Sequence, residues 1–348
     1  YIQSNLGVAV VHGTLYPLAG LISNLSLLLA ITFGGRMTIA QSITAGDFVA
    51  FISYLFLLTW PMMALGWVAN LFQRGLTSLE RIQTMLTETP QIRDSDSATP
   101  VPLTGTYIRI RNLTFAYPQQ VVPALQGIDL DIHPGLMGIV GRTGAGKPPL
   151  CHLLTRLYPV PDGTLWYDGQ DANRLPVAQV RGAIAYVPQD TMVFSETIAF
   201  NIALGKPDAA PVEIERVARA AAIHDEIVAM PEGYATRIGE RGIKLSGGQR
   251  QRLAIARALL LDRPIIIIDD GLSAVDMETE HTIIGAIADY LRGRTCIIVS
   301  HRVAPLADAQ TIVVMDRGRL VAQGNHAQLL EKSDFYRTIH RQQSALRK

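Results

Sequence analysis

The sequence of 348 residues predicts an α/β domain with a parallel sheet, preceded by all-α membrane-spanning helices. The first observation is the uneven distribution of charged residues along the chain. From Tyr1 to Gln73 the only side chains charged at neutral pH are Arg36 and Asp47. The second observation is that short, β-rich apolar runs alternate with helical patterns in the rest of the chain. A continuous run such as Ile265 to Ile268 indicates a strand buried on both faces, as in a parallel sheet covered by helices.

Phe48 to Val68 is a stretch of 21 uncharged residues. As a helix it measures about 31 Å, which matches the hydrocarbon core of a bilayer. Trp60 and Trp67 lie near one end, and Arg74 and Arg81 follow it. Basic residues favour the cytoplasmic side, so we predict that this end and everything after it are cytoplasmic.

Leu6 to Phe33 is also uncharged, which predicts a second span and a short loop, Gly34 to Asp47, on the far side. A pair of buried core helices is the alternative for these two stretches. Two spans alone do not form a translocation path. Since the sequence also begins at Tyr1 without a methionine, we expect it to be part of a longer protein.

The membrane part ends in an amphipathic segment, Leu71 to Leu86, and Glu88 to Pro102 is rich in Pro, Thr, Ser and Asp. We therefore predict a helical membrane region at 1–86, a linker at 87–104 and an α/β domain at 105–348. The predicted strands of that domain are Ile108 to Phe115, Ile128 to Ile132, Leu136 to Val140, Ile184 to Val187, Ile265 to Ile268, Thr295 to Val299, Thr311 to Met315 and Arg319 to Ala322.

Gly141 to Pro149 is the most informative segment, reading Gly-Arg-Thr-Gly-Ala-Gly-Lys-Pro-Pro between a predicted strand and a helical pattern. Glycines allow successive backbone N–H groups to surround an anion, and the following helix contributes its positive end. Lys147 can reach the outer phosphates of a nucleotide. A phosphate loop of this type continues Lys-Ser/Thr, whose hydroxyl binds Mg²⁺, and here prolines follow instead.

Two further patterns point to the same chemistry. Asp269 and Asp270 end an apolar strand, where α/β sheets bind ligands, although two acids also simply begin many loops. Leu245 to Gln249, reading Leu-Ser-Gly-Gly-Gln, precedes the helical pattern Gln251 to Leu261. Its hydroxyl and backbone donors would therefore lie at a helix N-terminus, which suits an anion. His301 ends another strand.

Together these motifs resemble the ATP-binding-cassette (ABC) transporters, and among them the exporters that fuse membrane helices to the nucleotide-binding domain. The motifs occur in family order from Tyr107 to Arg341, and Leu245 to Gln249 match the family signature in full. Flanking segments are also similar to the family: Ser78 to Ile82, Phe194 to Ile198, Asn201-Ile202 and Gly239 to Gly242. The resemblance implies a P-loop fold of the ABC ATPase type, with ATP and Mg²⁺ as its ligands.

The resemblance assigns the nucleotide contacts. Tyr117 would stack on adenine. The phosphate loop would hold the β- and γ-phosphates through Gly141, Arg142, Thr143, Gly144, Ala145, Gly146 and Lys147.

It assigns the metal and catalytic residues as well. Asp269 and Gln189 would bind Mg²⁺, and Gln189 would also sense the γ-phosphate. Asp270 stands where the family has a catalytic glutamate that polarises the attacking water, and His301 would contact the γ-phosphate.

In this family two cassettes bind head to tail. The signature residues Ser246, Gly247, Gly248 and Gln249 would therefore act on ATP held by a partner, and Asp276 would lie in the contact between the cassettes.

The sequence departs from the family at Pro148 and Pro149, which remove the Mg²⁺ hydroxyl and two N–H donors. Hydrogen bonds to charged groups contribute roughly 1.5–3 kcal/mol each, so the two losses amount to about 3–6 kcal/mol of binding. A residue before proline avoids the α region, so we expect Lys147 and Pro148 to be displaced from helical conformation. Asp270 is one methylene shorter than glutamate. These changes predict a degenerate ATP site in one subunit of a heterodimer.

The sequence therefore predicts a transport ATPase that forms part of a multi-pass exporter in the cytoplasmic (plasma or inner) membrane. Its partners would be a second half-transporter, in a hetero- or homodimer, membrane lipid and a small drug- or lipid-like cargo, with no nucleic acid. Two alternatives remain: a non-hydrolytic regulatory subunit, and a soluble ABC ATPase acting on nucleic acid or the ribosome. The uncharged spans and the net charge of +1 disfavour the second.

Overall fold

The computed structural model describes residues 14, 17–18 and 20–348, apart from 96–97, 104–106, 240–243, 291–292 and 346–348. The chain divides into two compact units, Tyr1–Thr89 and Pro90–Lys348.

Between residues 20 and 89 the first unit contains two helices, α1 (Gly20–Ile39) and α2 (Ala45–Thr87). A capping box begins α2: the Asp47 N–H donates to Thr44 Oγ1 at 3.1 Å, and the Thr44 N–H donates to Asp47 Oδ2 at 3.0 Å. Asp47, one of the two charged side chains between Tyr1 and Gln73, therefore stabilises a helix end.

Both helices are long and apolar enough to cross a membrane, with mean hydropathies of 1.3 and 1.9, and no residue in their most apolar stretches is buried. The predicted span Phe48 to Val68 lies within α2, which continues through Pro61 for 43 residues. Its length of about 64 Å is roughly twice the thickness of a hydrocarbon core, so α2 is longer than a single span requires.

The predicted loop Gly34 to Asp47 is wrong in its first part, because α1 continues to Ile39. Gly34 and Gly35 keep right-handed helical angles after a π-helical turn at Ala30–Gly34, so neither glycine ends the helix. The chain turns only at Gln41, where φ is +58°. The N-terminal part of the second predicted span, from Leu6, lies largely outside the described residues.

The second unit contains an α/β fold. Its strands are β1 (Ile108–Phe115), β2 (Leu125–Ile132), β3 (Gly135–Gly141), β4 (Leu165–Tyr167), β5 (Gln170–Asp171), β6 (Ile184–Val187), β7 (Ile265–Asp269), β8 (Thr295–Ser300), β9 (Thr311–Asp316) and β10 (Arg319–Gly324). Its helices are α3 (Lys147–Leu154), α4 (Val177–Gly182), α5 (Ile198–Ala203), α6 (Pro211–Ala220), α7 (His224–Val228), α8 (Gly247–Leu260), α9 (Met277–Tyr290), α10 (His326–Lys332) and α11 (Asp334–Ala345).

The strands form two sheets. The larger has the order β10-β9-β3-β8-β7-β6, in which β9, β3, β8, β7 and β6 are parallel and β10 is an antiparallel edge. The smaller sheet is antiparallel, with the order β2-β1-β4-β5. The eight predicted strands and the parallel sheet are confirmed. Strands β4 and β5 were not predicted, because three and two residues are too short for a periodic signal.

Apolar packing covers both faces of the larger sheet. In β7, Ile266 and Ile268 belong to the core that contains Leu253 of α8, whereas Ile265 and Ile267 belong to the core that contains Leu150 of α3. This double burial explains the unbroken run of isoleucines. Because the strands are parallel, the segments that follow β3, β6, β7 and β8 emerge at one edge of the sheet.

The turn between β9 and β10 supports the segment after β3. The Gly318 N–H donates to Ala145 O at 3.0 Å, and Gly318 O accepts from the Gln126 N–H at 2.8 Å. Gly318 has φ of +76°, and a Cβ atom there would lie 2.6 Å from Ala124 O.

We expect Gly318→Ala to lower the free energy of unfolding by at least about 3 kcal/mol, because left-handed strain adds to a backbone clash. Gly163→Ala is the matched control. Gly163 has a similar φ of +66° but open space around its Cβ position, so it should cost only about 1–2 kcal/mol. Denaturant unfolding of the purified variants measures both free energies. If the two substitutions lowered the free energy of unfolding equally, the proposed clash with Ala124 O would be refuted.

Candidate nucleotide-binding site

The phosphate loop lies between β3 and α3, and close backbone contacts explain its glycines. Gly144 and Gly146 have φ of +82° and +96°. A Cβ on Gly146 would lie 2.7 Å from Ala124 O, and a Cβ on Gly141 would lie 2.5 Å from Met315 O. Larger residues at these two positions would therefore displace the loop from the sheet.

Lys147 folds back onto this loop. Its Nζ donates to Gly141 O at 2.6 Å and to Arg142 O at 3.2 Å, and the side chain is only 8% exposed. Burial lowers the pKa of Lys147, while the carboxylates of Asp270 and Asp269 act in the opposite direction. The ammonium group is thus held at the loop by carbonyl oxygens that an anionic ligand would replace.

The two prolines do not displace the start of the helix, so that expectation is wrong. Lys147, Pro148 and Pro149 form the first turn of α3 after Gly146, and Leu150 makes the first helical bond, its N–H donating to Gly146 O at 3.4 Å. The first-turn N–H groups of a helix have no intrahelical acceptor, so prolines there remove nothing that the helix needs. They remove two of the donors that would face an anion at this helix end.

The acidic pair follows β7 at the same edge of the sheet. Asp269 is 3% exposed, and its Oδ2 accepts from Tyr186 Oη at 3.1 Å. Burial raises the pKa of Asp269 and also that of Asp270. Asp270 has φ of +50°, a region that aspartate tolerates better than most residues.

The structure brings His301 to Asp270, since His301 Nδ1 lies 3.0 Å from Asp270 Oδ1. His301 also lines a cleft of about 450 Å³ with Gly141, Arg142 and Thr143 of the phosphate loop. A further wall of this cleft is formed by Ile339, Gln342 and Gln343 of α11. That wall was not predicted, because α11 has no motif and enters the site only through tertiary packing.

Gln189 follows β6, which pairs with β7, so its exposed side chain is at the same sheet edge as Asp269.

Tyr117 is partly buried in an aromatic cluster: its ring centroid lies 5.1 Å from the ring centroid of Phe115 and 5.2 Å from that of Tyr158, both edge-on. Burial raises the pKa of Tyr117. Tyr158 was not singled out from the sequence.

The signature begins α8. Ser246 is its N-cap: Ser246 Oγ accepts from the Gln249 N–H at 3.2 Å, and the Ser246 N–H donates to Gln249 Oε1 at 2.8 Å. Gln249 Nε2 also donates to Glu226 Oε2 at 2.8 Å. A Cβ on Gly248 would lie 2.9 Å from Ala274 O, so the signature packs closely on the segment after β7.

Asp276 belongs to that same segment and caps α9. Its Oδ1 accepts from the Thr279 N–H at 3.0 Å, which lowers the pKa of Asp276. Among the described residues that line the cleft, none belongs to the signature or to the Asp276 segment. Residues 240–242, which resemble the family before the signature, lie outside the described part of the chain.

Comparisons with known proteins bear on this arrangement. Residues 125–273 match the family model described as "ABC transporter". The chain carries an ABC transporter domain. Tyr117, His301 and α11 lie outside the matched range, whereas the phosphate loop, signature and acidic pair lie within it.

Similarity to individual proteins extends over nearly the whole chain. It is 41% identical over 342 residues to the multidrug resistance-like ATP-binding protein MdlA of Escherichia coli (strain K12), covering 98% of this chain and 58% of MdlA. It is 40% identical over 309 residues to the ATP-dependent lipid A-core flippase of Chromobacterium violaceum, covering 88% of this chain and 53% of the flippase.

A solved structure of a bacterial Atm1-family ABC exporter with ATP bound matches with a TM-score of 0.85 and 34% identity, covering 99% of this chain and 60% of the exporter. The chain therefore spans less than two thirds of the proteins it resembles. The predicted resemblance to ABC exporters and the predicted fold class are confirmed, as is an ABC-type ATPase domain. The similarities also place α1 and α2 in a membrane and the ABC domain in the cytoplasm.

We expect Gly248→Ala to lower the free energy of unfolding by about 1–3 kcal/mol, because its Cβ would overlap Ala274 O. Gly247→Ala is the control: its Cβ would make an ordinary 3.4 Å contact with Ala274 Cβ, and alanine is the better helix former. Thermal unfolding of the two variants should differ. If Gly247→Ala were equally destabilised, the close packing of the signature would be refuted.

Proposed function

We propose that this chain is part of an ABC exporter subunit that couples ATP binding to export of a drug- or lipid-like compound. The observation that carries the proposal is the separation of two half-sites. The phosphate loop and His301 line one cleft, and Asp270 contacts His301, whereas no residue of the signature, all five of which are present, lines that cleft. A complete ATP site would then need the signature of a second chain.

The residues present fit ATP with Mg²⁺. Mg²⁺ prefers oxygen ligands and is commonly held by one or two carboxylates together with water and substrate phosphates. The Asp269 carboxylate and the Gln189 amide oxygen are of this type, and they follow adjacent parallel strands. When bound, the ion supplies positive charge to the phosphate oxygens.

Each of the predicted site residues then has a defined part. Lys147 would exchange its contacts with Gly141 O and Arg142 O for phosphate oxygens. Asp270 would polarise a water, and its contact with His301 Nδ1 would leave His301 Nε2 to meet the γ-phosphate. Tyr117 would stack on adenine.

We propose further that this site is the degenerate one of a heterodimer. Pro148 and Pro149 lack the two N–H donors and the hydroxyl, and Asp270 is shorter than glutamate, so the same site would bind ATP weakly and hydrolyse it slowly. The signature would act in the other composite site, on ATP held by the partner. A second half-transporter with a complete phosphate loop is therefore the expected partner.

The cargo follows from the names of the relatives, a multidrug resistance-like protein and a lipid A-core flippase. In the first unit, an open groove of about 390 Å³ between α1 and α2 is lined by Ile22, Ser23, Leu55, Leu58, Thr59, Met62 and Met63. This largely apolar lining suits acyl chains or apolar drugs.

One alternative has an observation in its favour. The missing donors at Pro148 and Pro149 also suit a regulatory subunit that binds nucleotide without hydrolysing it. Absence of turnover in both composite sites of the assembled dimer would favour that function over export driven by hydrolysis at the partner's site.

Restoring the family residues should restore nucleotide binding. We expect Pro148→Ser combined with Pro149→Thr to raise the affinity for Mg-ATP by at least about 100-fold, since two charge-assisted hydrogen bonds return. Displacement of a fluorescent nucleotide from the full chain in lipid nanodiscs measures this. Pro211→Ser is the control, because Pro211 occupies the first turn of α6 and the change should leave affinity unaltered. Equal affinity of the natural and double-variant chains would show that the prolines do not matter.

Hydrolysis should depend on a partner. We expect the purified chain alone to show little Mg-ATP hydrolysis. The dimer with a second half-transporter should hydrolyse ATP, and Ser246→Ala in this chain should lower that rate. Asp270→Ala in this chain should reduce the rate much less. Release of inorganic phosphate measures both, and brisk hydrolysis by the isolated chain would refute the degenerate site.

A further inference from the structure

Helix α11 contacts both sides of the cleft. The guanidinium carbon of Arg142 in the phosphate loop lies 5.4 Å from the ring centroid of Phe335, a cation–π distance. Ile339 and Gln343, one and two turns further along, line the cleft together with His301. This helix therefore links the loop that faces the phosphates to the segment that carries the histidine.

Gln343 forms hydrogen bonds to the backbone around His301 with both the nitrogen and the oxygen of its side-chain amide. Its Nε2 donates to His301 O at 2.6 Å, and its Oε1 accepts from the Val303 N–H at 2.8 Å. A primary amide carries a donor and an acceptor side by side, so one side chain can hold two main-chain groups that are two residues apart.

The opposite side of the same segment is anchored by Arg302, which lies between these two groups. Its Nη2 donates to Ser273 O, and its Nη1 lies 3.1 Å from Glu280 Oε2, a nearly buried carboxylate. Residues 301–303 are thus held between α11 and the segment after β7. Removing the Gln343 contacts frees one side only, so the segment can shift without unfolding.

The position of the His301 ring depends on this backbone. The ring is half exposed, and its Nδ1 lies 3.0 Å from Asp270 Oδ1. A side chain with so little packing around it is placed mainly by its own main chain, so a displacement of His301 O would lengthen the contact with Asp270 and move Nε2 relative to the cleft.

We propose that Gln343 is a positioning residue for the γ-phosphate contact of His301, so that α11 sets how strongly this chain prefers ATP to ADP. The inference rests on the proposed function, in which His301 faces the γ-phosphate. ADP lacks that phosphate, so the preference for ATP reports on His301 specifically, whereas a general loss of structure weakens both nucleotides.

The test measures the affinities for Mg-ATP and Mg-ADP of the full chain in lipid nanodiscs, in the natural sequence and in the Pro148→Ser, Pro149→Thr background. Displacement of a fluorescent nucleotide gives both constants. We expect Gln343→Ala to lower ATP affinity by about 3- to 10-fold, the effect of one lost contact, with ADP affinity unchanged. His301→Ala should lower ATP affinity at least as much.

Two further variants sharpen the result. Gln343→Glu keeps an acceptor for the Val303 N–H but sets an oxygen against His301 O, so it should behave like Gln343→Ala. Thr338→Ala lies on an exposed part of α11, where its hydroxyl bonds only to Asp334 O of the same helix, and should retain both affinities.

Each outcome is decisive. An altered ATP/ADP ratio for His301→Ala with an unaltered ratio for Gln343→Ala would overturn the inference and leave the proposed function standing. If Gln343→Glu kept the natural ratio, the bond to His301 O would not be what positions the ring. Failure of all chains to bind either nucleotide would overturn the proposed function, and this inference with it.

Discussion

The parallel hydrogen bonding of β9, β3, β8, β7 and β6 is the constraint on which the rest of the nucleotide-binding unit depends. Parallel pairing fixes the direction of every strand, so the segments after β3, β6, β7 and β8 must leave the sheet at one edge. The phosphate loop, Gln189, the acidic pair and His301 are those four segments. Residues separated by up to 160 positions are thereby brought to one edge, where a ligand can contact them together.

At the start of α3, folding and ligand binding place different requirements on the backbone N–H groups. A helix tolerates proline in its first turn, because the N–H groups there have no helical acceptor. A bound anion uses those same N–H groups. Pro148 and Pro149 are therefore compatible with the fold, although they lack the two N–H donors that a bound anion would use.

Hydrogen bonds that build the domain also orient its polar side chains. The capping box of Ser246 and Gln249 starts α8, and the contact of Gln249 with Glu226 ties that helix start to α7. Gln343 joins α11 to the backbone on either side of Arg302 in the same manner. Such contacts make the geometry of a loop depend on a helix that has no motif of its own.

The sequence by itself determined eight of the strands, because apolar runs such as Ile265 to Ile268 carry a strong local signal. It also determined the phosphate loop, the signature and their departures, since these depend on neighbouring residues. Only the tertiary structure decided that α1 continues past Gly34, that α3 includes both prolines, and that β4 and β5 pair with the smaller sheet. It alone placed α11 against the cleft, with Gln343 on the His301 backbone. The physical reason is that local patterns set the conformation of a segment, whereas contacts between distant segments depend on packing that no local pattern encodes.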